Sequence, residues 1–462
     1  LAAVSGVTTF AVHAGIAAAD DNTVQLTNVP AGMAIALGSS AGVEISAGIA
    51  NKSVMGSSTV AITLASNTGT ADALTVNAVD TDRLTDTTTL TAAGVEVFTL
   101  DVGTVAGETH KVSLTGVAAT ALSNQTINIV DGIAAVGLTI VDVDSTNNVI
   151  DASAFLGDLT ISDRATTATT ITAAAGADSV PHLNESDVID LGTGADTLTV
   201  TFQAIGKAID VDMSVAAGVD MITVGGAAGT SQANFESVTL TGYVGTGSNI
   251  TGSTGVNTII GSPYVDAINP GLGADVVTGG SGVDYINVTE TTSSRDIVVL
   301  GDSTDASNYD QITGWITATD DIRALQSVHL WNSTAGGTTA VIGTGADLEL
   351  AESDGTGSDA NILTLSGNVA TNTYITYMAG TSTYAQLETA AIAAMSDSDG
   401  LDAAAIVLVA IDDGTHTGLW QLDSNDAGTD NGNAVAAEVE LIGILKGHAD
   451  ATTLVVGDFL FT

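Results

Sequence analysis

Glycines and acidic residues recur with a period of nine along two stretches of the chain. The clearest unit spans residues 279–287 and reads Gly-Gly-Ser-Gly-Val-Asp-Tyr-Ile-Asn. Position six of the seven units carries a carboxylate or an amide: Asp178, Asp187, Asp196, Asn257, Asp266, Asp275 and Asp284. Position eight is always aliphatic: Val180, Ile189, Leu198, Ile259, Ile268, Val277 and Ile286. Carboxylate, amide and backbone carbonyl oxygens are the ligands that hard divalent cations take in proteins, so the pattern indicates metal binding.

The elements that position these oxygens are short turns and shorter strands. Glycine allows positive φ and close backbone approach in the turn, and one inward aliphatic residue suits a three-residue strand. We expect two nonapeptides to complete one turn of a coil, so that turns on one edge recur every eighteen residues. Asp266 and Asp284 should therefore stack on one edge, and Asn257 and Asp275 on the other.

The unit resembles the calcium-binding nonapeptide of RTX proteins. The resemblance implies a parallel β-roll with Ca²⁺ held between stacked turns. The residues that it assigns to calcium fall in two runs: Asn257, Gly261, Asp266, Asp275, Gly279, Gly280, Gly282 and Asp284 in the longer run, and Asp178, Gly192, Gly194 and Asp196 in the shorter.

These candidate sites are not equivalent. The Asp266/Asp284 edge is the first candidate and the Asp178/Asp196 pair the second, whereas the uncharged Asn257 predicts weaker binding on its own edge. The shorter run departs from the pattern, because residues 182–185 read His-Leu-Asn-Glu where the glycines of its middle unit belong. The alternative interpretation is a set of ordinary Gly-Asp turns in a β-protein.

The amino-acid composition restricts the classes of partner that the chain can bind. The 462 residues carry 53 acidic and 8 basic side chains, a formal net charge of −45. Nucleic acid and anionic membrane surfaces would repel such a chain. Hydrophobic residues make up 45% of it, which favours a folded protein. The absence of cysteine excludes disulfides and thiol catalysis, and no stretch approaches the length of an apolar membrane span.

We predict an all-β fold, a β-solenoid or parallel β-roll with calcium-binding turns, followed by a β-rich carboxy-terminal region with one short helix at 383–395. Residues 1–175 read as a Thr/Ala/Val-rich solenoid or sandwich. Residues 176–300 form the calcium roll, with a strand insertion at 200–251. Residues 301–462 are the third predicted region.

The sequence gives no set of motifs that identifies an enzyme. No histidine lies in His-Glu-x-x-His and no P-loop occurs, and residues 279–283, Gly-Gly-Ser-Gly-Val, depart from Gly-x-Ser-x-Gly at the last position. The carboxylates are too many for a catalytic pair to be picked out, and turn or metal-ligand roles suit most of them. We therefore expect that the protein is not an enzyme. Of the three functions weighed in this section, a secreted hydrolase is the least favoured.

The whole-chain composition resembles RTX-type bacterial surface-layer proteins. This resemblance implies a structural protein, exported by type I machinery with its signal in the final segment, that self-assembles into a calcium-dependent lattice on the cell surface. The amino end has no basic and apolar signal-peptide pattern, which fits that route. The chain itself is the expected partner, with lipopolysaccharide contacted through a region outside this chain. The alternative is the carboxy-terminal part of an RTX adhesin or biofilm-matrix protein.

Overall fold

The computed structural model describes a subset of the chain, and all structural statements below concern that subset. It comprises residues 9–12, 23–29, 34–37, 58–64, 73–77, 88–102, 109–114, 117–118, 125–130, 136–143, 148–162, 164, 167–215, 221–228, 232–300, 308–324, 340–342, 362–365, 406–412, 415–423, 439–449, 453–454 and 458–460. The helix predicted at 383–395 lies outside these residues.

Short strands make up the described fold, and these ranges contain no α-helix. The first eighteen strands are β1 (Thr9–Val12), β2 (Thr23–Val29), β3 (Ala34–Leu37), β4 (Ser58–Leu64), β5 (Ala73–Asn77), β6 (Thr88–Ala93), β7 (Val97–Asp101), β8 (Thr109–Ser113), β9 (Val117–Ala118), β10 (Gln125–Val130), β11 (Gly137–Asp142), β12 (Asn148–Ala154), β13 (Asp158–Ile161), β14 (Thr170–Thr172), β15 (Ser179–His182), β16 (Val188–Asp190), β17 (Thr197–Val200) and β18 (Ile209–Asp212).

The other strands are β19 (Ile222–Val224), β20 (Ala227–Ala228), β21 (Gln232–Ala233), β22 (Ser237–Thr239), β23 (Asn249–Thr251), β24 (Thr258–Ile260), β25 (Ala267–Asn269), β26 (Val276–Thr278), β27 (Tyr285–Asn287), β28 (Ile297–Leu300), β29 (Asp310–Thr313), β30 (Asp321–Ala324), β31 (Ala340–Ile342), β32 (Ile362–Leu365), β33 (Ile406–Asp412), β34 (Thr417–Asp423), β35 (Val439–Lys446) and β36 (Phe459–Leu460). The all-β prediction is confirmed.

The chain divides into two compact units, Leu1–Ala204 with Val215–Val244, and Ile205–Ser214 with Gly245–Thr462. In the first unit, one parallel sheet runs β1-β3-β5-β7-β10-β12-β14-β16-β21 and the other runs β2-β4-β6-β8-β11-β13-β15-β17-β22. Successive strands thus alternate between two sheets, and β9 pairs with β6 beside the second. This alternation is the winding of a parallel solenoid, not of a sandwich.

The second unit begins with the same alternation of strands between two parallel sheets and then includes antiparallel pairs. One parallel sheet runs β24-β26-β28-β30-β36, and the other begins β18-β23-β25-β27-β29-β35. Strands β35, β34 and β33 then pair antiparallel. Strands β32 and β31 continue that sheet in parallel.

The predicted eighteen-residue turn is confirmed by the strand register. Ile171 pairs with Ile189 in the first unit, and Ile250 pairs with Ile268 in the second. Each position-eight side chain is at most 2% exposed, so these aliphatics form the ladder of a narrow core. Burying each contributes about 1.5–3 kcal/mol, and this places the preceding turns one above another.

Candidate metal sites in the stacked turns

Every position-six side chain lies at the end of a turn, immediately before its strand, and is buried. Their exposed fractions do not exceed 1%. Burying a carboxylate is costly unless it is hydrogen-bonded and its charge is balanced. The partners of each oxygen therefore determine what these turns can bind.

Asp266 and Asp284 stack on one edge of the second unit. The Asp266 amide donates to Asp284 Oδ1 at 2.7 Å, and the Ser248 amide donates to Asp266 Oδ1 at 2.6 Å. The Asp284 amide in turn donates to Asp310 Oδ1 at 3.2 Å. Each carboxylate thus caps the backbone of the turn before it, and the sequence pattern did not include Asp310.

The opposite edge carries a second ladder. The Asn257 amide donates to Asp275 Oδ1 at 2.7 Å, as the predicted stacking of this pair requires. The ladder continues beyond the nonapeptides, because the Asp275 amide donates to Asp296 Oδ1 at 3.0 Å and the Asp296 amide to Asp320 Oδ1 at 3.2 Å.

The first unit contains a third ladder around the shorter run. The Asp178 amide donates to Asp196 Oδ1 at 2.8 Å, and the Leu159 amide donates to Asp178 Oδ1 at 2.7 Å. Glu236 extends it, since its Oε2 accepts from the Asp196 amide at 2.9 Å. The predicted Asp178/Asp196 pair is therefore brought together.

The outer oxygens of several ladder carboxylates have no hydrogen-bond partner. They are the buried Oδ2 atoms of Asp178, Asp196, Asp275, Asp284 and Asp296. Burial, which penalises the charged form, raises the pKa of Asp178 and Asp275 to about 6. It raises the pKa of the other three to about 7. Such oxygens need a proton or a cation.

Asp266 differs from these residues although it belongs to the edge that the sequence ranks first. The Ser262 amide donates to its Oδ2 at 2.6 Å and the Ser262 hydroxyl to its Oδ1 at 2.7 Å. Ser262 occupies the position that Gly280 holds eighteen residues later, in the next turn of the same edge. On this edge the open oxygen therefore belongs to Asp284, beside Asp310, whose pKa burial and the Asp284 charge raise well above its usual range.

The glycines keep the turns tight against the carboxylates. A Cβ on Gly279 would lie 2.3 Å from Asp284 Oδ2, and one on Gly261 would lie 2.6 Å from Asp266 Oδ2. Gly280 and Gly282 have φ of +106° and +119°, which side chains disfavour. The glycines of the shorter run lie against backbone oxygens of the turn below, since a Cβ would meet Ala174 O at 2.3 Å from Gly192 and Gly176 O at 1.6 Å from Gly194.

One group of three carboxylates gathers its oxygens within 4.8 Å of one another: Asp275, Glu290 and Asp296. It is the only such His/Cys/Asp/Glu group that the described part of the chain contains. Sequence reasoning missed Glu290 and Asp296, because a rigid period of nine ends at residue 287. An acidic residue followed two places later by an aliphatic one, with the turn length left free, would have found Asp296, Asp310 and Asp320.

At the Asp187 turn, basic side chains of the protein itself contact the buried carboxylate. Arg164 donates from Nη2 to Asp187 Oδ2, from Nη2 to Pro181 O at 3.0 Å, and from Nη1 to Thr169 Oγ1 at 3.0 Å. His182 Nδ1 lies 3.2 Å from the same Oδ2. Burial tends to raise the pKa of Asp187, but His182 and Arg164 outweigh it and the pKa falls below its ordinary value. The Arg164 guanidinium is therefore surrounded by oxygen atoms, as a bound metal ion would be.

Comparisons with known proteins do not place the chain in a family. No family model matches it, and no curated protein gives a significant match.

Among the described residues, no helix has the length and apolar character needed to cross a membrane.

Proposed function

We propose that this is a structural surface-layer protein that binds Ca²⁺ in its stacked turns and self-assembles into a calcium-dependent lattice on the bacterial cell surface. The observation that carries the proposal is the set of buried carboxylates whose outer oxygens have no partner. Oxygen-only donors with several carboxylates suit a hard cation that accepts irregular geometry, and Ca²⁺ takes six to eight oxygens in flexible arrangements.

The net charge supports a role for cations beyond single turns. Copies of a chain with a formal charge of −45 repel one another, and salt screens this repulsion only beyond about 8 Å at physiological ionic strength. Close contacts between copies therefore need cations at the interface. Ca²⁺ bound between acidic faces would serve both the fold and the assembly.

The remaining parts of the proposal rest on the RTX resemblance. They are export through type I machinery, residence outside the cell, and attachment to lipopolysaccharide through a region outside this chain. The protein acts by assembly rather than by catalysis in this account.

The test is negative-stain electron microscopy of the purified chain in millimolar CaCl₂, with matched samples in EGTA and in MgCl₂. We expect ordered sheets in calcium that disperse in EGTA and do not form in magnesium. Dispersed particles under all conditions, with calcium changing only the circular dichroism, would remove the lattice and favour the adhesin alternative. An unchanged circular dichroism spectrum as well would remove the calcium role.

A further inference from the structure

We infer that Asp275, Glu290 and Asp296 form a divalent-cation site, suited to Ca²⁺, and that two of its three carboxylates, Glu290 and Asp296, come from outside the nonapeptide pattern. The inference deepens the proposed function and rests on its cation-binding turns, but not on the lattice. It differs from the sequence expectation, in which the neutral Asn257 marks this edge as the weaker one.

Two oxygens of the site are open and buried. Asp275 and Asp296 are both 0% exposed. The Oδ1 atom of each is engaged by a backbone amide of the preceding turn. The Oδ2 atom of each has no partner, although a buried carboxylate oxygen without one carries the full cost of lost hydration. These oxygens are what a bound cation would satisfy.

Glu290 is held where it completes the group. Its Oε1 accepts from the Gly273 amide at 2.8 Å and its Oε2 from the Ser294 amide at 2.5 Å. These bonds fix the carboxylate, and each oxygen keeps a second lone pair for a metal. The turn has room for this side chain because Asp275 and Asp296 are twenty-one residues apart rather than eighteen.

The charge of the group is not balanced by the nearest basic residue in the sequence. Arg295 is adjacent to Asp296, but its guanidinium pairs with Asp321 and its side chain is 56% exposed. Three carboxylates with oxygens within 4.8 Å repel one another. A divalent cation relieves this repulsion, and an all-oxygen donor set selects Ca²⁺ over metals that prefer nitrogen or sulfur.

The experiment is calorimetric titration of CaCl₂ into the chelator-treated full-length chain, for the wild type, Glu290→Gln and Glu185→Gln. Glu290→Gln keeps the shape of the side chain but removes one ligand charge. Glu185→Gln is the matched control, since it removes the same charge from an exposed position in the Asp187 turn. Far-ultraviolet circular dichroism of each metal-free variant checks that its fold is unchanged.

We expect Glu290→Gln to lose one equivalent of calcium or to weaken one site about ten-fold, because the number of charged ligands sets calcium affinity. The control should titrate like the wild type. A Glu290→Gln isotherm identical to the wild-type one would overturn the site, and so would an equal change in both variants. A selective loss without any sheets in the microscope would uphold the site while the lattice fails.

Discussion

The Asp187 turn and the Asp275 and Asp284 turns follow the same nonapeptide pattern, but their buried carboxylates have different partners. In the first, Arg164 and His182 lie against the carboxylate. In the second and third, glycines pack against the turn and the Oδ2 atom has no partner. The difference indicates that a buried turn carboxylate oxygen without a hydrogen-bond donor needs a proton or a cation. Arg164 meets this need at Asp187, and in our proposal Ca²⁺ meets it at Asp275 and Asp284.

The ionisation of the two kinds of turn separates them further. The pKa of Asp187 lies below its ordinary value despite burial. Burial raises the pKa of Asp284 to about 7. The first carboxylate is therefore charged and paired in the folded state, whereas the second is destabilised when it is charged without a metal.

Calcium removal should give the largest effect, and it should act on one kind of turn only. A site saturated a thousand-fold above its dissociation constant contributes about 4 kcal/mol to the free energy of unfolding. In EGTA we expect hydrogen exchange to accelerate at the Asn257, Asp266 and Asp275 amides, which donate to ladder carboxylates. The Thr169 amide, which donates to Asp187 at 2.9 Å, should keep its protection. An equal acceleration of hydrogen exchange at the ladder amides and at the Thr169 amide would contradict the proposed difference between the two kinds of turn.

Arg164→Met should have the next largest effect. It leaves Asp187 buried without its guanidinium, and breaking a buried ion pair costs about 3–5 kcal/mol. Chemical denaturation should show this loss equally in calcium and in EGTA. Arg295→Met is the comparison, since its guanidinium is 56% exposed although Asp321 is buried. Solvent screens this pair more than the Arg164–Asp187 pair, and we expect a smaller loss. Rescue of the Arg164 variant by calcium would instead show that the ion enters the vacated position.

The metal-free protein should lose stability as the pH rises. A carboxylate whose folded pKa is raised favours the folded state most at a pH below its unfolded pKa, and this contribution is lost as the pH climbs through the folded pKa. For Asp196, Asp284 and Asp296 that window runs from about 4 to about 7. Thermal unfolding in EGTA should therefore occur at a lower temperature at pH 8 than at pH 5. A melting temperature that rises over this range would contradict the assignment of these shifts.

Asp284→Asn should give the smallest effect but a change of sign. In calcium the variant loses a charged ligand and should be less stable than the wild type. In EGTA at pH 8 it removes an uncompensated buried charge, and we expect it to be more stable by on the order of 1 kcal/mol. Denaturation curves under the two conditions check this. A destabilisation of equal size in both would mean that the carboxylate acts only through its hydrogen bond to Asp266.

The sequence predicted the features that depend on local periodicity. Position-eight aliphatics such as Ile189 and Ile268 are core residues, and the eighteen-residue stacking of Asp266 and Asp284 follows from the period of nine. The short helix predicted at 383–395 is neither confirmed nor corrected, because the described residues do not include it.

What the sequence did not predict depends on contacts between turns of unequal length. Glu290 reaches the Asp275 turn only because its own turn is three residues longer, and Arg164 reaches Asp187 from twenty-three residues earlier. Ser262, which fills both Asp266 oxygens, stands at a position where the pattern gives no sign of a competing donor. Which turn carboxylates have donors for both oxygens could therefore be learned only from side-chain geometry.

The most direct test of the central claim is anomalous diffraction from crystals of the chain grown in calcium. The account predicts anomalous density beside the Oδ2 atoms of Asp275 and Asp296, Asp284, and Asp196, and none at Asp187, where the Arg164 guanidinium lies. Absence of density at all the open carboxylates, or a calcium peak at Asp187, would contradict it.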